Sequence, residues 1–218
     1  MPNPQTHITT SGGLISAAFI ETIREPESRQ PGTEPASFAL PATAGSPRRG
    51  AEGTTAPASR SALEDDIAAA WELLLERWDA VYADIHTMSV SDARRRWILP
   101  LVEVLDFEPA YLRGDVVLDE AGKLRYPLSH RGWPEDGAEG GAEPPAPVLH
   151  TVAPDQPLDA RAGSGRGVKA KSPHDMLQAF LNASTDDQWA VLTNGILLRL
   201  LREYHHTFTK GYVQFDLE

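Results

Sequence analysis

Apolar residues recur every three or four positions along Leu63, Ile67, Trp71, Leu74, Trp78, Val81, Tyr82 and Ile85. That spacing keeps them on one side of a helix, so it predicts a long amphipathic helix with Trp71 and Trp78 in the core. Ser61 and Glu64 fit a capping box at its start, where a hydroxyl and a carboxylate satisfy the first free N–H groups. A second helix, capped by Ser91 or Asp92, runs to about Leu105 and buries Trp97, Ile98, Leu101 and Leu105. Pro100 lies inside it and predicts a kink or a restart. A third begins at Ser172-Pro173, with Ser at the cap and Pro at the first helical position, and turns Met176, Leu177, Phe180 and Leu181 inward. Leu14, Ala17, Ala18, Ile20 and Ile23 suggest a short helix near the N-terminus.

Between the helices the pattern changes to short apolar runs. Trp189 to Thr193 and Ile196 to Leu200 flank Asn194-Gly195, which predicts a β-hairpin with a type I′ turn. Val116–Leu118 and Lys123–Tyr126 bracket Asp119–Gly122 as a second hairpin. Val148–Val152 and Tyr212–Leu217 read as further strands. Strands interspersed with helices indicate a mixed α/β domain. Residues 132–147 are acidic and rich in Gly and Pro, which predicts a loop, and residues 159–171 form a Gly-rich basic loop. Residues 26–60 are rich in Pro, Ala, Gly, Ser and Thr and too poor in large apolar groups to offset ordering entropy. The expected organisation is an N-terminal segment with a short helix (1–25), a disordered linker (26–60) and one α/β domain (61–218).

Composition narrows the function. The chain has 218 residues and no cysteine, which excludes disulfides, thiolate metal sites and a Cys nucleophile. No apolar run approaches the roughly 18 residues of a membrane span, and no signal pattern opens the chain, so a cytoplasmic protein is expected. The net charge is −11, unlike the basic footprint of a self-sufficient nucleic-acid binder. Arg161, Arg166, Lys169 and Lys171 nevertheless follow one another with no acid between them.

Several segments, in order, resemble one family. These are Thr9-Thr10-Ser11-Gly12-Gly13-Leu14, Arg96-Trp97-Ile98-Leu99-Pro100-Leu101, Tyr126-Pro127-Leu128-Ser129-His130-Arg131, Ser172-Pro173-His174, Phe180-Leu181-Asn182, the Trp189 hairpin and Gly211–Glu218. The chain resembles the N-terminal nuclease-like domain of type IIG-like restriction–modification proteins, which precedes an adenine-specific DNA methyltransferase in bacterial phage-defence systems. The resemblance implies a restriction-endonuclease-like fold with a degenerate PD-(D/E)xK core and flanking helices. It implies DNA as a partner, together with a methyltransferase domain or subunit. No Asn-Pro-Pro-Tyr is present to hold a flipped adenine. S-adenosylmethionine is therefore expected only in a downstream methyltransferase part, and no cofactor in this chain.

Candidate chemistry is sparse. Asp159-Ala160-Arg161 is the nearest match to the second half of a nuclease motif, with Arg where Lys is expected. Asp159 would then be a catalytic acid and Mg²⁺ ligand only in an active nuclease, with Asp115, Asp119 or Glu120 as the other acid. Arg166, Lys169 and Lys171 are the candidate phosphate contacts, and Asn194 a candidate DNA contact. Arg94-Arg95-Arg96 reads either as a phosphate patch or as a solvated helix face. Adjacent His205 and His206 would face opposite sides of a strand, whereas His130, His150 and His174 could converge in space. Three functions follow: a DNA-engaging scaffold module without catalysis of its own, an Mg²⁺-dependent endonuclease, and a module that docks a separate methyltransferase subunit.

Overall fold

A computed structural model describes residues 7–24, 60–105, 107, 109–132, 147–161, 171–205 and 210–218. Its centre is a seven-stranded, mostly antiparallel sheet. In chain order the strands are β1 (Ile8–Ser11), β2 (Pro109–Tyr111), β5 (His130–Gly132), β6 (Val148–Thr151), β7 (Trp189–Thr193), β8 (Leu197–Arg202) and β9 (Tyr212–Asp216). A separate ribbon pairs β3 (Val116–Val117) with β4 (Arg125–Tyr126). Across the sheet the order is β1-β9-β8-β7-β6-β5-β2. Only β6 and β7 run parallel. Helix α5 (Pro173–Ala183) joins them, as a parallel pair requires a crossover rather than a turn.

Strand alternation sorts the core into two layers. Val148, Ala190, Leu192 and Leu201 face α5 and bury Leu177, Phe180 and Leu181. Each such side chain taken fully from water contributes roughly 1.5–3 kcal/mol. Leu198, with Val191, Leu200 and Phe215, faces the other way, onto Ala93, Trp97, Ile98 and Leu101. These belong to a helical path made of α3 (Val90–Ala93), a π turn (Arg94–Ile98) and α4 (Leu99–Val104). Mixed α/β architecture is therefore observed, with helices on both faces of one sheet.

The local signals at α5 hold in detail. Ser172 caps it, accepting the Asp175 N–H at 3.1 Å, and Pro173 occupies the first turn. The second helix differs. Ser89 is its cap and exchanges hydrogen bonds with Asp92. Pro100 does not end the path, because the wider π turn accommodates a residue that cannot donate an N–H.

The long helix α2 (Arg60–Asp79) begins one residue before Ser61, which therefore lies inside it rather than at its cap. Its stripe is only partly covered. Trp78 packs on Trp97 with ring centroids 4.9 Å apart. Trp71 is 60% exposed, and Ile67 and Leu75 are exposed as well, so Trp71 is not a core residue. The helix outruns the layer it packs on: its principal contacts are to the π turn and α4.

The N-terminal segment is part of the sheet. β1 pairs with β9, placing Thr10 opposite Val213, and α1 (Ala17–Arg24) follows it. The expected linker lies outside the described residues except for Arg60, as do residues 133–146 of the acidic loop. Among the described residues no helix is long and apolar enough to cross a membrane.

Candidate functional site

One charge sits where sequence pattern would put a leucine. Arg199 interrupts Leu197-Leu198-Arg199-Leu200-Leu201 on β8, and alternation turns it toward the α5 side, beside Leu192 and Gln214. It is 3% exposed. A guanidinium stays charged at any ordinary pH, so it must find its partners inside. Nη1 and Nη2 each donate to one oxygen of Asp159, both at 3.0 Å. Nη1 also donates to His174 Nδ1 at 2.9 Å, while Nε and Nη2 donate to Gln214 Oε1 at 3.1 and 2.6 Å. The Tyr212 ring lies under the guanidinium, 3.9 Å from its carbon to the ring centroid. All five donor positions of the fork are thereby used.

Lys210 completes the cluster, meeting Asp159 at 2.6 Å and Asp175 at 3.3 Å. Burial favours the neutral form of Asp159. Hydrogen bonds and charge from Arg199 and Lys210 outweigh that and hold its carboxyl well below the usual carboxylate range. For Asp175, burial is again opposed, here by the Ser172 hydrogen bond and by Lys210, and the result lies below the ordinary value. His174 is pushed down to about 4, first by burial and then by the two cations. It is thus neutral near pH 7, accepts at Nδ1, and carries its proton on Nε2, which is buried with no partner among the described residues.

Asp159 is thus met by Arg199 and Lys210 rather than by Arg161, which is exposed. Asp119 uses its carboxylate to close the β3–β4 turn, on the Leu124 N–H at 2.6 Å. Lys171 is exposed at the start of α5, while Arg166, Lys169 and the Gly-rich stretch around them lie outside the described residues. Among the described residues no group of three or more His, Cys, Asp or Glu could hold a metal ion. The three histidines expected to converge divide in two. His174 joins Arg199, whereas His130 and His150 lie close enough for His150 to depress His130. His205 bonds Glu203 at 2.7 Å, and His206 lies outside the described residues.

Asn194 occupies a buried turn. The central residues of the β7–β8 connection are Gly195 and Ile196, because the Asn194 N–H bonds Leu197 O across them. Gly195 has φ 90°. The register is one residue later than an Asn-Gly turn, since the Asn194 side chain replaces a backbone acceptor. Its Oδ1 accepts from the N–H groups of Ile196 and Leu197 at 3.0 and 2.8 Å. Its Nδ2 donates to Pro154 O and Gln156 O at 3.4 and 3.2 Å. With 5% of its surface exposed, Asn194 is engaged inside the domain. Trp97 Nε1 seals the tip by donating to Gly195 O at 2.7 Å. Asn194→Ala should therefore destabilise the domain by roughly 2–4 kcal/mol, since it strands two donors and two acceptors. The midpoint of urea unfolding measures this, and an unchanged midpoint would refute the role.

Sequence reading did not assemble Arg199, Gln214, Lys210 and Tyr212. The available signal was the lone Arg in a leucine run. No family model matches the chain, and no curated protein or solved structure is detectably similar to it.

Proposed function

We propose that this chain is a DNA-engaging scaffold module of a bacterial restriction–modification or phage-defence system. It works beside an adenine-specific DNA methyltransferase domain or subunit and performs no chemistry of its own. The fold is read as a restriction-endonuclease-like core whose catalytic acids have been lost.

The observation that carries this reading is that six of the seven segments bearing the resemblance meet in one bonded network. Thr10 and Ser11 pair with Val213 and Tyr212 of the last segment. Gly12 O accepts from Tyr204 Oη at 2.6 Å. Asn182 holds both the N–H and the C=O of Tyr204. His174 and Gln214 share Arg199, and Trp97 bonds the hairpin tip. Segments that hold one another in place have a physical reason to recur together and in order.

The surroundings of Asp159 support the loss of catalysis. Mg²⁺ seeks carboxylate oxygens free of competing cations. Both oxygens of Asp159 are bound to Arg199, and one also to Lys210. These residues do not suit the metal.

The test is a DNA-binding titration over a range of salt. Replacing Arg166, Lys169 and Lys171 together should weaken binding and lower the slope of log affinity against log salt by about 3. Binding unchanged in both respects would refute the assignment of those residues. Mg²⁺-dependent cleavage abolished by Asp159→Ala, in a variant shown to be folded, would establish the endonuclease instead. The docking module is favoured by the net charge of −11 and by the exposed Trp71 face of α2. Tight association with a methyltransferase subunit in the absence of DNA would select it.

A further inference from the structure

The three arginines of Arg94-Arg95-Arg96 have separate fates. Arg95 pairs with Asp92 at 2.9 Å, and Arg96 donates to Ala80 O at 3.0 Å. Arg94 instead reaches the sheet and is half-buried, its Nε donating to Thr151 Oγ1 at 3.0 Å. Its guanidinium carbon is 5.9 Å from the Tyr111 ring centroid. Arg131 and Arg199, on strands of the same sheet, each meet a carboxylate, Asp187 and Asp159, while the exposed Arg202 lies over the Trp189 ring. Arg94 forms no ion pair with any described residue.

Among the described residues no carboxylate bonds to this cluster. His130, 2% exposed, bonds Ser129 Oγ through Nδ1 at 3.0 Å and packs edge-on against Tyr111. Ser129 gives its own proton to Leu149 O, so His130 Nδ1 is the donor and Nε2 carries the lone pair. His150 Nδ1 is buried with no hydrogen-bond partner among the described residues. Burial and then the Arg94 charge push both histidines down to about 4. A half-buried cation with no ion-pair partner among the described residues, beside two histidines kept neutral chiefly by burial, creates a local positive potential.

We propose that Arg94, held by Thr151 and flanked by Tyr111, forms a binding site for a phosphate group. The neutral His130 and His150 beside it serve as reporters. The guanidinium fork matches the oxygens of a phosphate and supplies the charge. Tyr111, 64% exposed on the edge strand β2, offers a flat face to whatever carries the phosphate, which suits a nucleotide. The site takes the same chemistry from free phosphate or from a nucleic-acid backbone. Only the second source rests on the DNA reading above.

The experiment follows the ring resonances of His130 and His150 by NMR in the full chain. Inorganic phosphate is titrated first, with chloride at matched ionic strength as the control. A short DNA duplex follows. The expected result is a saturable shift with phosphate that chloride does not reproduce. Arg94→Gln should abolish it, Arg94→Lys should weaken it several-fold, and Arg95→Gln should leave it intact. A wild-type response no different from that to chloride would overturn the site even if Arg94→Gln fails to fold. So would a response retained in folded Arg94→Gln. A duplex that shifts the same resonances and is displaced by phosphate assigns the site to nucleic acid. Saturation by phosphate with no DNA binding anywhere on the chain would keep the site and refute the DNA reading.

Discussion

The domain should lose most of its stability between pH 6.5 and pH 4. His130, His150 and His174 have folded-state values pushed down to about 4 from an ordinary 6.5. Between those values the unfolded chain binds protons that the folded chain refuses, so acid favours unfolding. A gap of about 2.5 units costs roughly 3 kcal/mol per histidine once the pH reaches the folded value. Three such groups remove at most about 9 kcal/mol, of the order of the 5–15 kcal/mol that holds a typical domain together. His130 and His150 interact, so the sum is not strictly additive. Asp159 and Asp175, depressed in the folded state, act in the same direction at lower pH, their contribution being lost as pH falls below 3.8. Urea midpoints measured from pH 7 to pH 5 give the slope. His174→Asn keeps an acceptor for Arg199 but cannot titrate, and should flatten that slope by about a third. A wild-type midpoint constant over this range would contradict the burial of these rings.

The second large effect is expected at Arg199. Arg199→Met keeps the length and removes the charge, leaving Asp159, Gln214 and His174 Nδ1 without their shared donor. The loss should be about 3–5 kcal/mol, as for a buried ion pair broken from one side. Arg199→Lys should recover little, because an ammonium cannot reproduce the fork that grips Asp159 through two nitrogens. Asp159→Asn should cost less than Arg199→Met, since its carboxylate is half exposed and water can serve what it leaves. The double variant should cost less than the sum of the two, as the residues share one network. Strictly additive losses in urea unfolding would mean that the cluster does not act as a unit.

These two sites show where sequence reading succeeds and where it stops. Ser172-Pro173 declared the start of α5, and alternation declared β6 and β9, because cap chemistry and side-chain period act within a few residues. Asn194-Gly195 declared a turn, but its position slipped by one because a side-chain amide did the work of a peptide group. The α2 stripe correctly identified an apolar face at Trp71 without identifying anything that covers it. Periodicity records which way a residue points on its own element and nothing about what stands opposite. The Arg199 partners lie 15, 25 and 40 residues away, on different elements, so only the folded sheet brings them together. The Arg94 run is similar: three identical neighbours acquire three different environments from the turn geometry and from a sheet distant in sequence.

The pairing of β1 with β9 has a consequence for how the molecule can be assembled. The strand Ile8–Ser11 sits at one border of the sheet, yet residues 25–59 separate its helix from the start of α2. What holds β1 in place is the ladder to β9 and the Tyr204 hydroxyl on Gly12, at positions 192 residues apart. The ladder can form only once Tyr212–Asp216 has been made, long after Ile8–Ser11. Closing so long a loop costs entropy before any contact of the ladder offsets it, so this border of the sheet is a late and slow step of folding.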